Sequence, residues 1–286
     1  LNNRPRDHRP LIRWHGGKWK IALWVVAHLP PHELYTEVFG GGAAVLIRKN
    51  RATRGELYND LDGTLVHLMR VLQDPVKAAA LVRKIALTPF SREEFYAAYG
   101  ETDDDVERAR RTLIRSFMGF GASGATSDSL TGFRGGVRTK GGIPAQEWAS
   151  YPQALQRIIA RLDGVMVENQ CAFGLLRSVD EPGVLHYLDP PYHPATRSKG
   201  NRQRGAGYHV YRHELDENQH DELLDVARSL KGMVVLSGYP HDSYDEALRG
   251  WRRVTRETQA DGARPRTEVL WINPAAARRL GEDKLL

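Results

Sequence analysis

The sequence predicts an α/β fold: a doubly wound mixed sheet carrying a helical insertion. Three observations predict it. Two strand-turn-helix units follow one another early in the chain, a wholly helical stretch comes next, and strand signals then return through the second half.

The first unit is "ELYTEVF" at residues 33–39, a short strand, followed by Gly40, Gly41 and Gly42 and the helix-like "AAVLIRKN". The second is "GELYNDLDGTLVHLMRVL", a strand that breaks at Asn59 and Asp60 and runs into a helix. From Asp74 to Asp163 apolar residues recur at helical spacing in "DPVKAAALVRKIAL", "SREEFYAAYG", "DDDVERARRTLIRSFMGF" and "AQEWASYPQALQRIIARL", with Ser91 and Asp103 as expected N-caps. Between the last two lies the Gly- and Ser-rich "GASGATSDSLTGFRGGVRTKGGIP". Strands return at "GVMVEN", "GVLHYL", "GMVVLSGY", "WRRVTRET" and "TEVLWIN", with "ENQHDELLDVARSL" and "YDEALR" as the helices among them. The last two strands leave no room for a crossover helix, so an antiparallel pair is expected there. These boundaries give a sheet domain of residues 1–73 and 164–286 and a helical unit of residues 74–163 inserted into it.

Composition narrows the function classes. With 41% hydrophobic residues in 286, the chain can bury a core and is not a disordered tail. Lys and Arg exceed Asp and Glu by 41 to 35, which favours a polyanionic partner. The positive charge is concentrated in two acid-free windows: Arg134, Arg138 and Lys140 in the first, Arg197, Lys199, Arg202, Arg204 and Arg212 in the second. Cys171 is the single cysteine, so an intrachain disulfide and a Cys-based zinc site are both excluded. No apolar run approaches the roughly 18 residues a membrane span needs, and "LNNRPRDHRP" lacks a secretory apolar core; a soluble, cytoplasmic protein is expected.

Two motifs carry chemistry. At the glycine turn, Gly40 and Gly42 let a ligand approach the backbone at a strand end. A dinucleotide fingerprint starting at Gly40 would place glycine where Val45 stands, which argues against NAD or FAD. Asp60, 20 residues beyond Gly40, is placed to accept hydrogen bonds from a ribose diol. Together these suggest an adenosine-containing cofactor without a pyrophosphate; a structural turn with a capping Asp is the simpler reading of this feature alone. The second motif is "YLDPPY". Asp189 falls at the C-terminal end of a strand, where open α/β sheets bind ligands, and Pro190 and Pro191 stiffen the backbone so that the Pro190 carbonyl is held in a fixed direction. Two fixed acceptors suit an NH2 group. Holding both N–H bonds of a conjugated amine out of plane returns its lone pair to nitrogen, and Tyr192 offers a flat face to the ring. His209 and His213 have i, i+4 spacing but no H-E-x-x-H motif, and no metal site is expected.

Four motifs, "RWHGGKWK", "YTEVFGGGAAV", "YNDLDGTLV" and "YLDPPY", occur in the order found in the Dam-type DNA adenine methyltransferases of the alpha arrangement, which the chain resembles over nearly its whole length. The resemblance implies a Rossmann-like class I methyltransferase that transfers a methyl group from S-adenosylmethionine to the N6 amine of an adenine flipped out of double-stranded DNA. It implies Asp189, Pro190, Pro191 and Tyr192 as catalytic residues, and Trp14, Lys18, Glu37, Phe39, Gly40, Gly42, Asp60 and Asp189 around the cofactor. It makes residues 74–163 a target-recognition domain, in which Arg134, Arg138 and Lys140 would read bases, while Arg197, Lys199, Arg202 and Arg204 would hold phosphates. A restriction endonuclease cutting the same site is one partner the resemblance allows. Three departures stand out: His15 where alanine is usual, Ala172 before Phe173 where an Asp-Phe pair is common, and "MGFGASGATS" in place of an Asn-Gly segment. Methylation of cytosine N4 or of RNA adenine, and a catalytically silent DNA-binding protein, are the rival readings.

Overall fold

The computed structural model describes residues 9–14, 16–121, 130–136, 143–196, 212–259 and 265–282. Seven strands form one sheet: β1 (Leu34–Glu37), β2 (Gly55–Asn59), β3 (Val165–Glu168), β4 (Val184–Leu188), β5 (Met233–Gly238), β6 (Arg252–Gln259) and β7 (Pro265–Ile272). Their order is β3-β2-β1-β4-β5-β7-β6. The first five strands pair in parallel, and the expected antiparallel pair closes the sheet with β7 inserted between β5 and β6. All five residues of β4 are buried, as a central strand covered on both faces requires.

Side-chain alternation sorts the core into two layers. Tyr187, Val235 and Leu270 pack on one face, and Leu188, Val234, Leu236 and Trp271 on the other. The second face is covered by α9 (Ala172–Ser178), α10 (Glu217–Ser229) and α11 (Asp242–Ala247). The first is covered by α1 (Ala22–Val26), α2 (Ala44–Arg48), α3 (Gly63–Gln73) and α12 (Pro274–Glu282), and by the helices that follow α3. Those are α4 (Pro75–Leu87), α5 (Arg92–Ala97), α6 (Asp105–Met118), α7 (Pro144–Ala149) and α8 (Tyr151–Leu162). Their buried residues, among them Leu81, Leu113 and Leu155, belong to the same hydrophobic cluster as Tyr35 and Tyr58 of the sheet. The helical unit therefore shares a core with one face of the sheet.

Local chemistry explains where the helices begin. Asp62, Asp74 and Ser91 cap α3, α4 and α5 through their side chains, and α10 starts with a capping box between Asp216 and Gln219. The cap of α6 is Asp104, whose carboxylate accepts from Glu107 N, and not Asp103. In a run of aspartates any member can cap; burial of the i, i+4 stripe Ala109, Leu113 and Phe117 decides the register. "AQEWASYPQALQRIIARL" forms two helices instead of one. Pro152 has no N–H to continue α7, but it fits the first turn of α8, where that donor would go unused.

The segment Leu11–Trp14 crosses the helical unit. Arg13 N donates to Ser116 Oγ of α6 at 2.7 Å, and Tyr151 of α8 donates its hydroxyl to Leu11 O. No helix among the described residues is long and apolar enough to cross a membrane.

Candidate active site

The crossovers leaving β1 and β4 run to opposite faces of the sheet, so a crevice opens between the C-terminal ends of these neighbouring strands. A cavity of about 360 Å³ lies there. Trp14, Lys18, Glu37, Phe39, Gly40, Gly42 and Asp60 line it, as do Asp189, Pro190, Pro191 and Tyr192.

The glycine turn is fastened to β2. Gly40 N donates to Asn59 O, Gly41 N to Asp60 Oδ2 at 2.7 Å, and Tyr58 donates its hydroxyl to Gly41 O at 2.9 Å. A Cβ at Gly40 would sit 2.1 Å from Tyr58 Cε2, so no other residue fits, and Gly41 takes φ +48°. Asp60 also accepts from Asp62 N at 2.8 Å. Burial raises its carboxyl to about 6, outweighing the two backbone donors. At the end of β1, Glu37 Oε2 accepts from Tyr35 OH at 2.7 Å and from Leu46 N at 2.8 Å. Burial still holds this carboxyl at about 8, so it is mostly protonated at pH 7.

Across the cavity Lys18 Nζ meets Asp189 Oδ1 at 2.7 Å and lies 4.6 Å over the Tyr192 ring. Burial works against the ammonium, but Asp189 and Glu268 together hold its pKa above the usual lysine value. Asp189 Oδ1 also accepts from Ser237 Oγ at 2.7 Å, and Ser237 is within 3.2 Å of the Tyr187 hydroxyl. Since Ser237 spends its single proton on Asp189, Tyr187 is the donor in the second bond. Both bonds to Asp189 among the described residues fall on Oδ1. Tyr192 donates to Glu268 Oε2 at 2.7 Å and meets Tyr239 edge-on at 4.3 Å.

A carboxylate, two prolines and an aromatic ring thus face a glycine turn and a second carboxylate within one cavity. Residues 14–258 match the profile of the D12 class N6 adenine-specific DNA methyltransferases. The chain belongs to that family. A relative named DNA N-6-adenine-methyltransferase, from Escherichia phage P1, is 24% identical over 242 residues, which are 82% of this chain and 30% of that protein. The chain therefore spans under a third of the length of that curated relative.

Several residues around the cavity of this D12-family chain escaped sequence reasoning. Ser237 is a lone polar residue within the apolar run "VVLSGY", and a buried polar side chain in a strand is the signal that could have found it; Glu268, next to Thr267 at the polar start of "TEVLWIN", carries no such signal. Arg212 and His213 line the cavity; Arg212 pairs with Asp62 at 2.6 Å, two residues beyond Asp60, instead of standing among solvated charges. Ala172, in place of the Asp of an Asp-Phe pair, lines the cavity with a methyl group. Arg134 is not at the cavity: its guanidinium pairs with Glu147 of α7 at 2.8 Å, beside the isolated bridge between Gly119 and Phe133. Arg138, Lys140, Arg197, Lys199, Arg202 and Arg204, with His15 and His209, lie outside the described residues. No group that could hold a metal ion occurs among the described residues.

Proposed function

We propose that the protein transfers a methyl group from S-adenosylmethionine to the N6 amine of an adenine swung out of double-stranded DNA. Membership of the D12 family implies a methyl donor and a DNA substrate. The observation that carries the finer reading is the pairing, across one cavity, of Asp189-Pro190-Pro191-Tyr192 with the glycine turn and Asp60.

The residues present fit an adenosine-type methyl donor. The cavity is of ligand size, the glycine turn lines it at the end of β1, and Asp60 offers carboxylate oxygens beside that turn. Trp14 and Phe39 supply apolar walls, and Asp60 would hold the ribose. When bound, S-adenosylmethionine supplies a methyl group already activated on a sulfonium.

The chain has to align the amine and stabilise its developing charge. Lys18 and Ser237 fix Asp189 through Oδ1, which leaves Oδ2 to accept one N–H of the amine. The Pro190 carbonyl is the second acceptor. Tyr192 provides the stacking face, and the carboxylate of Asp189 stabilises the transient positive charge on nitrogen until the proton leaves. An adenine inside a duplex cannot reach this crevice, so it has to leave the stack.

Target recognition falls to the helical unit of residues 74–163, with the two basic windows on the phosphates and base edges; the supporting observation is their positive charge. The test is incubation of the purified protein with unmethylated DNA and labelled S-adenosylmethionine, followed by nucleoside analysis and mapping of the modified bases. N6-methyladenine at one short motif is the expected product. N4-methylcytosine, label in RNA alone, or cofactor binding with no methylated base would each overturn the reading.

A further inference from the structure

Glu268 does not line the cavity, yet it is the buried acid nearest the catalytic tyrosine: it is 8% exposed, and Tyr192 donates to its Oε2 at 2.7 Å. It lies on β7, one residue beyond Val269, the partner of Gly238, and so stands level with Tyr239 at the cavity end of the sheet. We infer that Glu268 is a positioning residue for the target base: by holding the Tyr192 hydroxyl it fixes the ring on which adenine stacks. This inference rests on the methyl-transfer reading above.

A hydrogen bond to a phenolic oxygen acts on the axis of the ring. It sets where the ring points and leaves rotation about that axis free. The remaining freedom is taken up by neighbours: Tyr239 meets Tyr192 at 65° with centroids 4.3 Å apart, and the Lys18 ammonium lies over the ring at 4.6 Å. Strand alternation places Arg266 on the same side of β7 as Glu268. Arg266 donates to Thr196 O at 3.2 Å and lies over the Tyr239 ring at 5.1 Å. One strand thus supports the segment from Tyr192 to Thr196 at both ends. The Glu268 carboxylate is compensated by Lys18, which it shares with Asp189; burial nonetheless raises its pKa above the usual glutamate value. A carboxylate in such a place costs stability unless it is paired, and its partners here are groups of the catalytic segment.

The test is a double-mutant cycle of Glu268→Ala and Tyr192→Phe, read as single-turnover methylation of DNA carrying the motif found by base mapping. Each single change should slow transfer about tenfold, and the double variant should be no slower than either single one, because both remove the same bond. The change should fall on kcat, with KM for DNA and calorimetric binding of S-adenosylhomocysteine within about twofold of wild type. Glu268→Gln, which keeps an acceptor oxygen, should recover most of the rate. Additive losses, a Gln variant as slow as the Ala variant, or wild-type rates in Glu268→Ala would overturn the inference while leaving the methyl-transfer reading intact. If Glu268→Ala fails to fold, Tyr192→Phe decides alone: an unchanged rate overturns the inference. A wild-type protein that methylates no adenine overturns both.

Discussion

Lys18 and Asp189 form an ion pair of 2.7 Å that joins the turn after Trp14 to the end of β4. The lysine is 5% exposed, and its ammonium is kept charged by two carboxylates against the cost of burial. Removing one member of such a pair strands the other. Lys18→Met should therefore lower the unfolding free energy by about 3 kcal/mol and abolish methyl transfer. Urea unfolding followed by circular dichroism checks it; an unchanged midpoint would mean that the pair contributes no net stability.

Gly40 offers a steric prediction. Gly40→Ala drives a methyl group into the Tyr58 ring, whose Cε2 and Cδ2 would lie 2.1 and 2.5 Å away. The turn has to shift, at a cost of about 2 kcal/mol, and binding of S-adenosylhomocysteine should weaken more than tenfold. Gly63 is the control, because a Cβ there meets nothing within 4 Å and the position lies in α3. Gly63→Ala should leave the melting temperature unchanged or slightly raised, and calorimetry on both variants separates the two effects.

Much of this was legible beforehand. The parallel strands, the glycine turn and the acid-proline-proline-tyrosine motif are local patterns, so both halves of the cavity could be named before their approach was seen. What could not be read depends on strands distant in sequence. Glu268 reaches Tyr192 because β7 inserts between β5 and β6, and no spacing in the sequence reports that order. Helices α1, α9 and α12 escaped as well, and the break before Pro152 was missed because apolar spacing continues through it. The ion pair of Arg134 with Glu147 was not legible either, because Glu147 lies just past the acid-free window.

Two buried carboxyls give the protein a pH dependence whose sign is fixed. Asp60 and Glu37 have folded-state values of about 6 and about 8, both above the ordinary carboxyl range. Each group's favourable contribution is thus complete below the unfolded-state pKa and is lost as pH rises through the folded-state value. Glu37→Gln, neutral at every pH, should match wild type below about pH 4.5, the ordinary glutamate value, and exceed it in melting temperature by a margin that grows up to about pH 8 and then levels off. Thermal melts across this range check it, and parallel curves would refute the assignment.

Cofactor affinity should run the other way. The proposed role of Asp60 as acceptor for a ribose diol requires it ionised, so binding of S-adenosylhomocysteine should weaken as pH falls below 6, approaching tenfold per pH unit. Asp60→Asn should flatten that slope. A titration series between pH 5 and 8 decides the matter.

On the proposed role of Asp189, Asp189→Ala should reduce transfer by at least about a thousandfold, since it removes the acceptor and the charge assigned to the amine. DNA affinity, measured by fluorescence anisotropy, should stay within about threefold, because phosphate contacts dominate it. Ser237→Ala removes one donor to Asp189 Oδ1 and should cost about tenfold in turnover. Turnover in Asp189→Ala comparable to wild type would refute the catalytic assignment.

The stretch from Leu11 to Lys18 also bears on how the chain is made. It leaves the ribosome before Ser116, Tyr151 and Asp189, with 103 positions separating Arg13 from Ser116. Its Lys18 ammonium has no partner carboxylate at the end of β4 until Asp189 has been synthesised. The crevice is therefore assembled late in biogenesis from a piece of chain translated early, and it is not closed until β4 has joined β1.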